Sequence, residues 1–110
     1  MFELVKITTQ EEADLEGNGM QHAIGNFFPK LMSEGAQVFS LRRDGVALLT
    51  LTAHPKMFAA PATQESATPW VCQYVAGFRN RQPTQLERAL LSRLLIEQGI
   101  QFQYNPQSRY

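Results

Sequence analysis

An Asp44-Gly45 pair stands between two apolar runs of strand length in the stretch 38–52, VFSLRRDGVALLTLT. Asp-Gly between such runs is one of the strongest local signals for a β-hairpin. Two registers compete. A two-residue turn at Asp44-Gly45 places Phe39 opposite Thr50 and Leu41 opposite Leu48. A three-residue loop, Arg43-Asp44-Gly45 with Gly45 left-handed in a bulge, places Phe39 opposite Leu49 and Leu41 opposite Ala47. The second gathers Phe39, Leu41, Ala47, Leu49 and Leu51 on one face. Ser40, Arg42, Thr50 and Thr52 then lie on the other, with Val38, Val46 and Leu48. A one-residue slip mixes the faces, so the bulged register is the expected one.

The flanking segments supply partners for this hairpin. Residues 2–7 alternate weakly and predict a short strand. Thr8 with Glu11 and Thr9 with Glu12 form overlapping capping boxes, which predict a short acidic helix to about Leu15, ended by Gly17-Asn18-Gly19. Met20, Ile24, Phe27, Phe28 and Leu31 recur at helical spacing and predict a helix over 20–33, with a kink or restart near Phe28 because Pro29 removes a donor. After the hairpin, residues 53–69 hold three of the six prolines and read as a long connection. Residues 70–76, WVCQYVA, are apolar on both faces and predict a central strand. Thr84 and Glu87 form another capping box, opening a helix over 84–98 that buries Leu86, Ala89, Leu90 and Leu94, with Leu91 and Leu95. Ile100, Phe102 and Tyr104 alternate with glutamines as a short edge strand. The expected fold is therefore α+β and a single domain over 1–110. Its antiparallel sheet has the 37–52 hairpin and strand 70–76 at the centre, helices 20–33 and 84–98 covering one face, and the terminal strands at the edges.

Composition narrows the function classes. A chain of 110 residues with zero formal net charge does not carry the excess that neutralises many nucleic-acid phosphates. The charge is unevenly spread: residues 1–36 carry six acids against two lysines, and residues 37–110 carry eight bases against four acids. Cys72 is the single cysteine, which excludes an intrachain disulfide and fits a reducing compartment. No apolar run approaches the roughly 18 residues of a membrane span, and no signal-peptide pattern is present, so the expected location is cytoplasmic, without membrane association.

A motif emerges from Leu15-Glu16-Gly17 followed by Met20-Gln21-His22-Ala23-Ile24-Gly25. Gly35, Val38-Phe39-Ser40-Leu41-Arg42, Thr50-Leu51, Gln73, Gly77, Asn80 and Pro83 follow in order. Together they resemble the PcfJ-like proteins of conjugative plasmids and phages, as a short stand-alone version of the C-terminal region. The resemblance spans about residues 15 to 97. It departs at Ala23, where that motif has a cysteine, and in the longer 53–69 segment. The resemblance implies a mobile-element origin and no particular reaction.

Few residues could carry chemistry. On a helix starting near Met20, His22 projects opposite the apolar stripe, on the same side as Asn26. It is then either a surface or turn-fixing residue, or a general base or phosphate ligand. Ala23 removes a Cys-His pair, so thiol catalysis is not expected. His22 and His54 lie 32 residues apart without clustered ligands, so no metal and no cofactor is expected. The turn Gly77-Phe78-Arg79-Asn80-Arg81 can hold a carboxylate or phosphate bidentately, or can leave Asn80 shaping the turn while the arginines face water.

The leading expectation is a binding protein acting stoichiometrically on a host protein or nucleoprotein complex, for instance as an inhibitor of a CRISPR-type defence. Arg79, Asn80, Arg81, His22, Asn26 and Arg42 are its candidate contacts, and direct nucleic-acid binding is not favoured. The alternative is a small nucleic-acid-processing or hydrolytic enzyme using His22 and the Asn80 turn.

Overall fold

A computed structural model describes residues 1–55 and 70–106. Strand β1 (Phe2–Ile7) leads into helices α1 (Gln10–Met20) and α2 (Ile24–Ser33). The hairpin follows as β2 (Gln37–Arg43) and β3 (Val46–Pro55), and then come β4 (Trp70–Ala76), a 3₁₀ turn (Phe78–Asn80), α3 (Gln85–Ile96) and β5 (Ile100–Phe102). The five strands form one sheet in the order β1-β2-β3-β4-β5, antiparallel except for the β4–β5 pair. This is the expected α+β fold, with the hairpin and β4 at its centre and the terminal strands at its edges. Most of the 53–69 segment lies outside the described residues. Its first three residues, Ala53, His54 and Pro55, are not connection but the end of β3.

The hairpin register differs from both expectations. Asp44 and Gly45 both have left-handed φ, 52° and 84°, and make a two-residue turn closed by the Arg43–Val46 pair. Beyond Arg42–Ala47 the register shifts by one, so Leu41 faces Leu49 and Phe39 faces Leu51. The bulge therefore sits inside β3 rather than in the turn. Aspartate tolerates the left-handed region, so the tight turn needs no third residue. The shift still brings Phe39, Leu41, Leu49 and Leu51 into one buried cluster, whereas Ala47 goes with Arg42 instead.

Helices cover both faces, not one. Leu91 and Leu95 of α3 pack on Phe39, Leu41, Leu49, Leu51, Cys72 and Val75. Ala13 of α1 and Ile24, Phe28 and Leu31 of α2 pack with Ile7, Val38 and Ala36 in a second cluster. Val38 and Phe39 are neighbours on one strand, and successive side chains point to opposite faces, so the two clusters lie on opposite sides. Within α3, Leu91 and Leu95 are the buried stripe and Leu90 and Leu94 its half-buried flanks. Leu86 is 83% exposed and Ala89 is exposed as well. The buried side of α3 thus lies about one residue round from the expected one.

The glycines after Leu15 do not end α1, which runs on to Met20 and closes at Gln21, φ 54°. The buried stripe Ala13, Glu16, Gly17, Met20 recurs at i, i+3, i+4, i+7. Gly17 is needed as a flat surface: a Cβ there would stand 3.0 Å from the His22 carbonyl oxygen and 3.3 Å from the Gly25 nitrogen. Gly25 lies closer still to Asp14 of α1, so the two glycines let the helices touch. The predicted helix 20–33 consequently begins at Ile24. Pro29 lies inside it without dividing it. The Gly25 carbonyl, four residues earlier, loses its helical donor to the proline ring and accepts instead from Gln10 Nε2 at 2.8 Å.

Candidate functional site

A chain of polar contacts runs through the face that α1 and α2 cover. Thr50 sits in the middle of β3 with no exposed surface, and its hydroxyl donates to Glu16 Oε2 at 2.5 Å. His22, in the turn between α1 and α2, places Nε2 at 3.0 Å from the same hydroxyl oxygen. The hydroxyl proton is committed to the carboxylate, so Nε2–H must be the donor in that second contact. Nδ1 then accepts from the Ile24 backbone N–H at 3.4 Å, which completes a neutral imidazole with both nitrogens engaged. Burial lowers the His22 pKa, against the opposing pull of the Glu16 carboxylate.

Arg42 approaches the other Glu16 oxygen at 3.8 Å, and its Nε donates to Ser40 Oγ at 3.1 Å. Burying a carboxylate costs several kcal/mol, of order, unless it is paired and hydrogen-bonded. Glu16 has both kinds of partner, drawn from β2 and β3. The Thr52 hydroxyl, two residues along from Thr50, is buried and has no hydrogen-bond partner among the described residues.

The second constellation is the turn after β4. Arg79 and Asn80 are both left-handed, φ 54° and 65°. Arg79 Nε donates to Gln21 Oε1 at 2.8 Å and ties this turn to the end of α1. The Tyr74 hydroxyl donates to Asn80 Oδ1 at 3.4 Å. Arg81 behaves differently. Its side chain lies across Gly77, where a Cβ would meet Arg81 Cγ at 2.7 Å, and forms a fork to Glu87 at 2.8 and 2.9 Å. That pairing raises the Arg81 pKa and lowers that of Glu87.

The structure thus brings His22 and Arg42 together through Glu16 and Thr50, and the Arg79–Asn80 turn against Gln21, the residue before His22. Asn26 is exposed in the first turn of α2, and none of the side-chain hydrogen bonds among the described residues joins it to either group. His22 does not project from a helix as expected. It precedes α2 and turns toward the sheet, half-buried. Three participants were missed: Glu16, Thr50 and Gln21. Glu16 carried a signal, as the one acid on a stripe of small and apolar residues, but only if the helix is allowed to continue through the glycines. Among the described residues, no cluster of three or more His, Cys, Asp or Glu could hold a metal. No helix there is long and apolar enough to cross a membrane. No family model, curated protein or solved structure matches this chain.

Proposed function

We propose that this chain is a binding protein that acts stoichiometrically on a host protein or nucleoprotein complex, as a mobile-element inhibitor of a defence system such as CRISPR does. The observation that carries the reading is the direction of the Glu16–Thr50–His22 chain. In a hydroxyl nucleophile the proton points at an imidazole that takes it. Here it points at a carboxylate, the imidazole donates, and the hydroxyl has no exposed surface for a substrate to reach. The same contacts make good structural sense, because they anchor the α1–α2 turn to the sheet. The resemblance to PcfJ-like proteins supports the mobile-element setting. The zero formal net charge supports a protein or nucleoprotein partner over bare nucleic acid.

A second reading, a small nucleic-acid-processing or hydrolytic enzyme, draws on the Arg79–Gln21 contact, which sets the Asn80 turn beside the residue preceding His22. Titration separates the two. Increasing amounts of the protein are added to a reconstituted RNA-guided nuclease and cleavage is followed. Binding predicts inhibition that completes near one equivalent and survives His22→Ala in any variant that still folds. Conversion of excess nucleic acid by a small fraction of an equivalent, lost in His22→Ala, favours the enzyme.

A further inference from the structure

We infer that Gln21, Phe78, Arg79 and Asn80 form a binding site for a side-chain carboxylate, presented by an acidic and partly apolar segment of a partner protein. The argument starts from how hydrogen-bonding capacity is sorted at this patch. Gln21 Oε1 is taken by Arg79 Nε, and Asn80 Oδ1 by the Tyr74 hydroxyl. Each contact occupies one lone pair of an amide oxygen and leaves both N–H donors of that amide. Arg79 keeps its end-on fork, Nη1 and Nη2, for which no partner occurs among the described residues. What remains is richer in donors than in acceptors, and an ionised carboxylate is the side-chain group that only accepts.

Charge selects further. Arg81, two residues on, is matched by Glu87, whereas none of the ion pairs among the described residues involves Arg79. One uncompensated guanidinium suits one carboxylate better than a phosphate monoester, which carries close to two charges at neutral pH. Phe78 adds the apolar component. It is 44% exposed, and the Arg79 guanidinium lies 5.3 Å over its ring. This stacking orients the fork and sets an aromatic surface beside it for an apolar neighbour of the bound acid.

Backbone geometry points to the same place. Of the four non-glycine residues with left-handed φ among the described residues, Gln21, Arg79 and Asn80 meet here, and the fourth, Asp44, serves the hairpin turn. Such conformations persist where the surroundings enforce them and gather at functional sites.

The inference deepens the binding reading proposed above, but its readout needs neither turnover nor a host complex. The ¹⁵N-labelled protein is titrated at constant ionic strength with a blocked dipeptide of glutamate and tryptophan. Parallel titrations use the glutamine counterpart and adenosine monophosphate. The expected result is saturable shifts of the Arg79 Nε–H signal and the Gln21 and Asn80 side-chain amides with the glutamate peptide. Affinity should fall about tenfold or more with the glutamine peptide or in Arg79→Gln, since charge-assisted hydrogen bonds are lost in both. Retained amide dispersion shows that the variant is folded. Absence of localised shifts, equal binding of the glutamine peptide, or tighter binding of adenosine monophosphate would each overturn the assignment. Stoichiometric inhibition without carboxylate binding sinks this inference alone. Carboxylate binding in a protein that turns over substrate sinks the reading above alone.

Discussion

Thr50 is the residue on which the buried polar chain depends, because its one hydroxyl serves both Glu16 and His22. Thr50→Val keeps the shape but leaves a buried carboxylate oxygen and an imidazole N–H unpaired, at about 1–3 kcal/mol for each group. Urea unfolding should therefore show a loss of at least about 2 kcal/mol, with Thr50→Ser recovering most of it. A loss under about 0.5 kcal/mol for the valine variant would mean that the chain contributes little to stability. His22 predicts a pH dependence as well. Its folded pKa lies below the ordinary 6.5, chiefly because it is buried, so the fold prefers the neutral ring. The unfolded chain then binds more protons as pH falls. The stabilisation is complete above pH 6.5 and is lost as pH drops through the folded value. Protonation would also set Nδ1–H against the Ile24 N–H that it now accepts. In His22→Gln the decline in stability just below pH 6.5 should flatten, as measured by unfolding at a series of pH values. The histidine stood out in the sequence because of its rarity and its motif. Glu16 and Thr50 lie in the same motif, but nothing in the sequence pairs them with His22, because a threonine in a strand and an acid on a helix are ordinary until a fold sets them face to face.

At the scale of the elements, α1 and α2 show how glycines can be misread. Gly17, Gly19 and Gly25 look alike in sequence, yet only two of them carry the helix contact. A Cβ at Gly25 would stand 2.5 Å from Asp14 Oδ1 and 3.2 Å from Asp14 Cα, whereas one at Gly19 would meet nothing within 4 Å. Gly25→Ala should cost about 1–3 kcal/mol by forcing the helices apart. Gly19→Ala should stabilise by about 0.5–1 kcal/mol, since alanine loses less freedom in a helix. Thermal unfolding of the two variants checks both signs, and a shift in the same direction would break the argument. The capping boxes at Thr9–Glu12 and Thr84–Glu87 were legible, since their contacts are local and their residue types specific. The glycines were not, because whether a glycine ends a helix or admits a neighbour depends on a partner more than a turn away. Pro29 follows the same logic. Gln10, from another helix, supplies the donor that the ring takes from the Gly25 carbonyl.

Over the whole molecule, the hairpin settles the fold class and also explains what remained hidden. One face buries Phe39, Leu41, Leu49 and Leu51, and the other buries Val38 beside the hydrogen-bonded Ser40 and Thr50, so the sheet takes helices on both sides. Alternation shows that two faces exist, but it does not say which helix takes which, since that follows from the long-range path of the chain. The arrangement has a consequence for cooperativity. The clusters under α3 and under α1 and α2 share no residue, yet both are built on β2. Losing either should unpair the shared strand and unfold the other. Trp70 is the only tryptophan and packs against the α3-side cluster, so its fluorescence reports on that face alone. Ile24 is fully buried on the opposite side, and Ile24→Ala should cost about 2–5 kcal/mol. If the hairpin couples the faces, Trp70 fluorescence and far-ultraviolet circular dichroism will follow one transition, shifted together in the variant. A variant that loses helical signal at low denaturant while Trp70 keeps its native emission would show two independent layers. The sheet would then be a scaffold to which α1 and α2 merely dock.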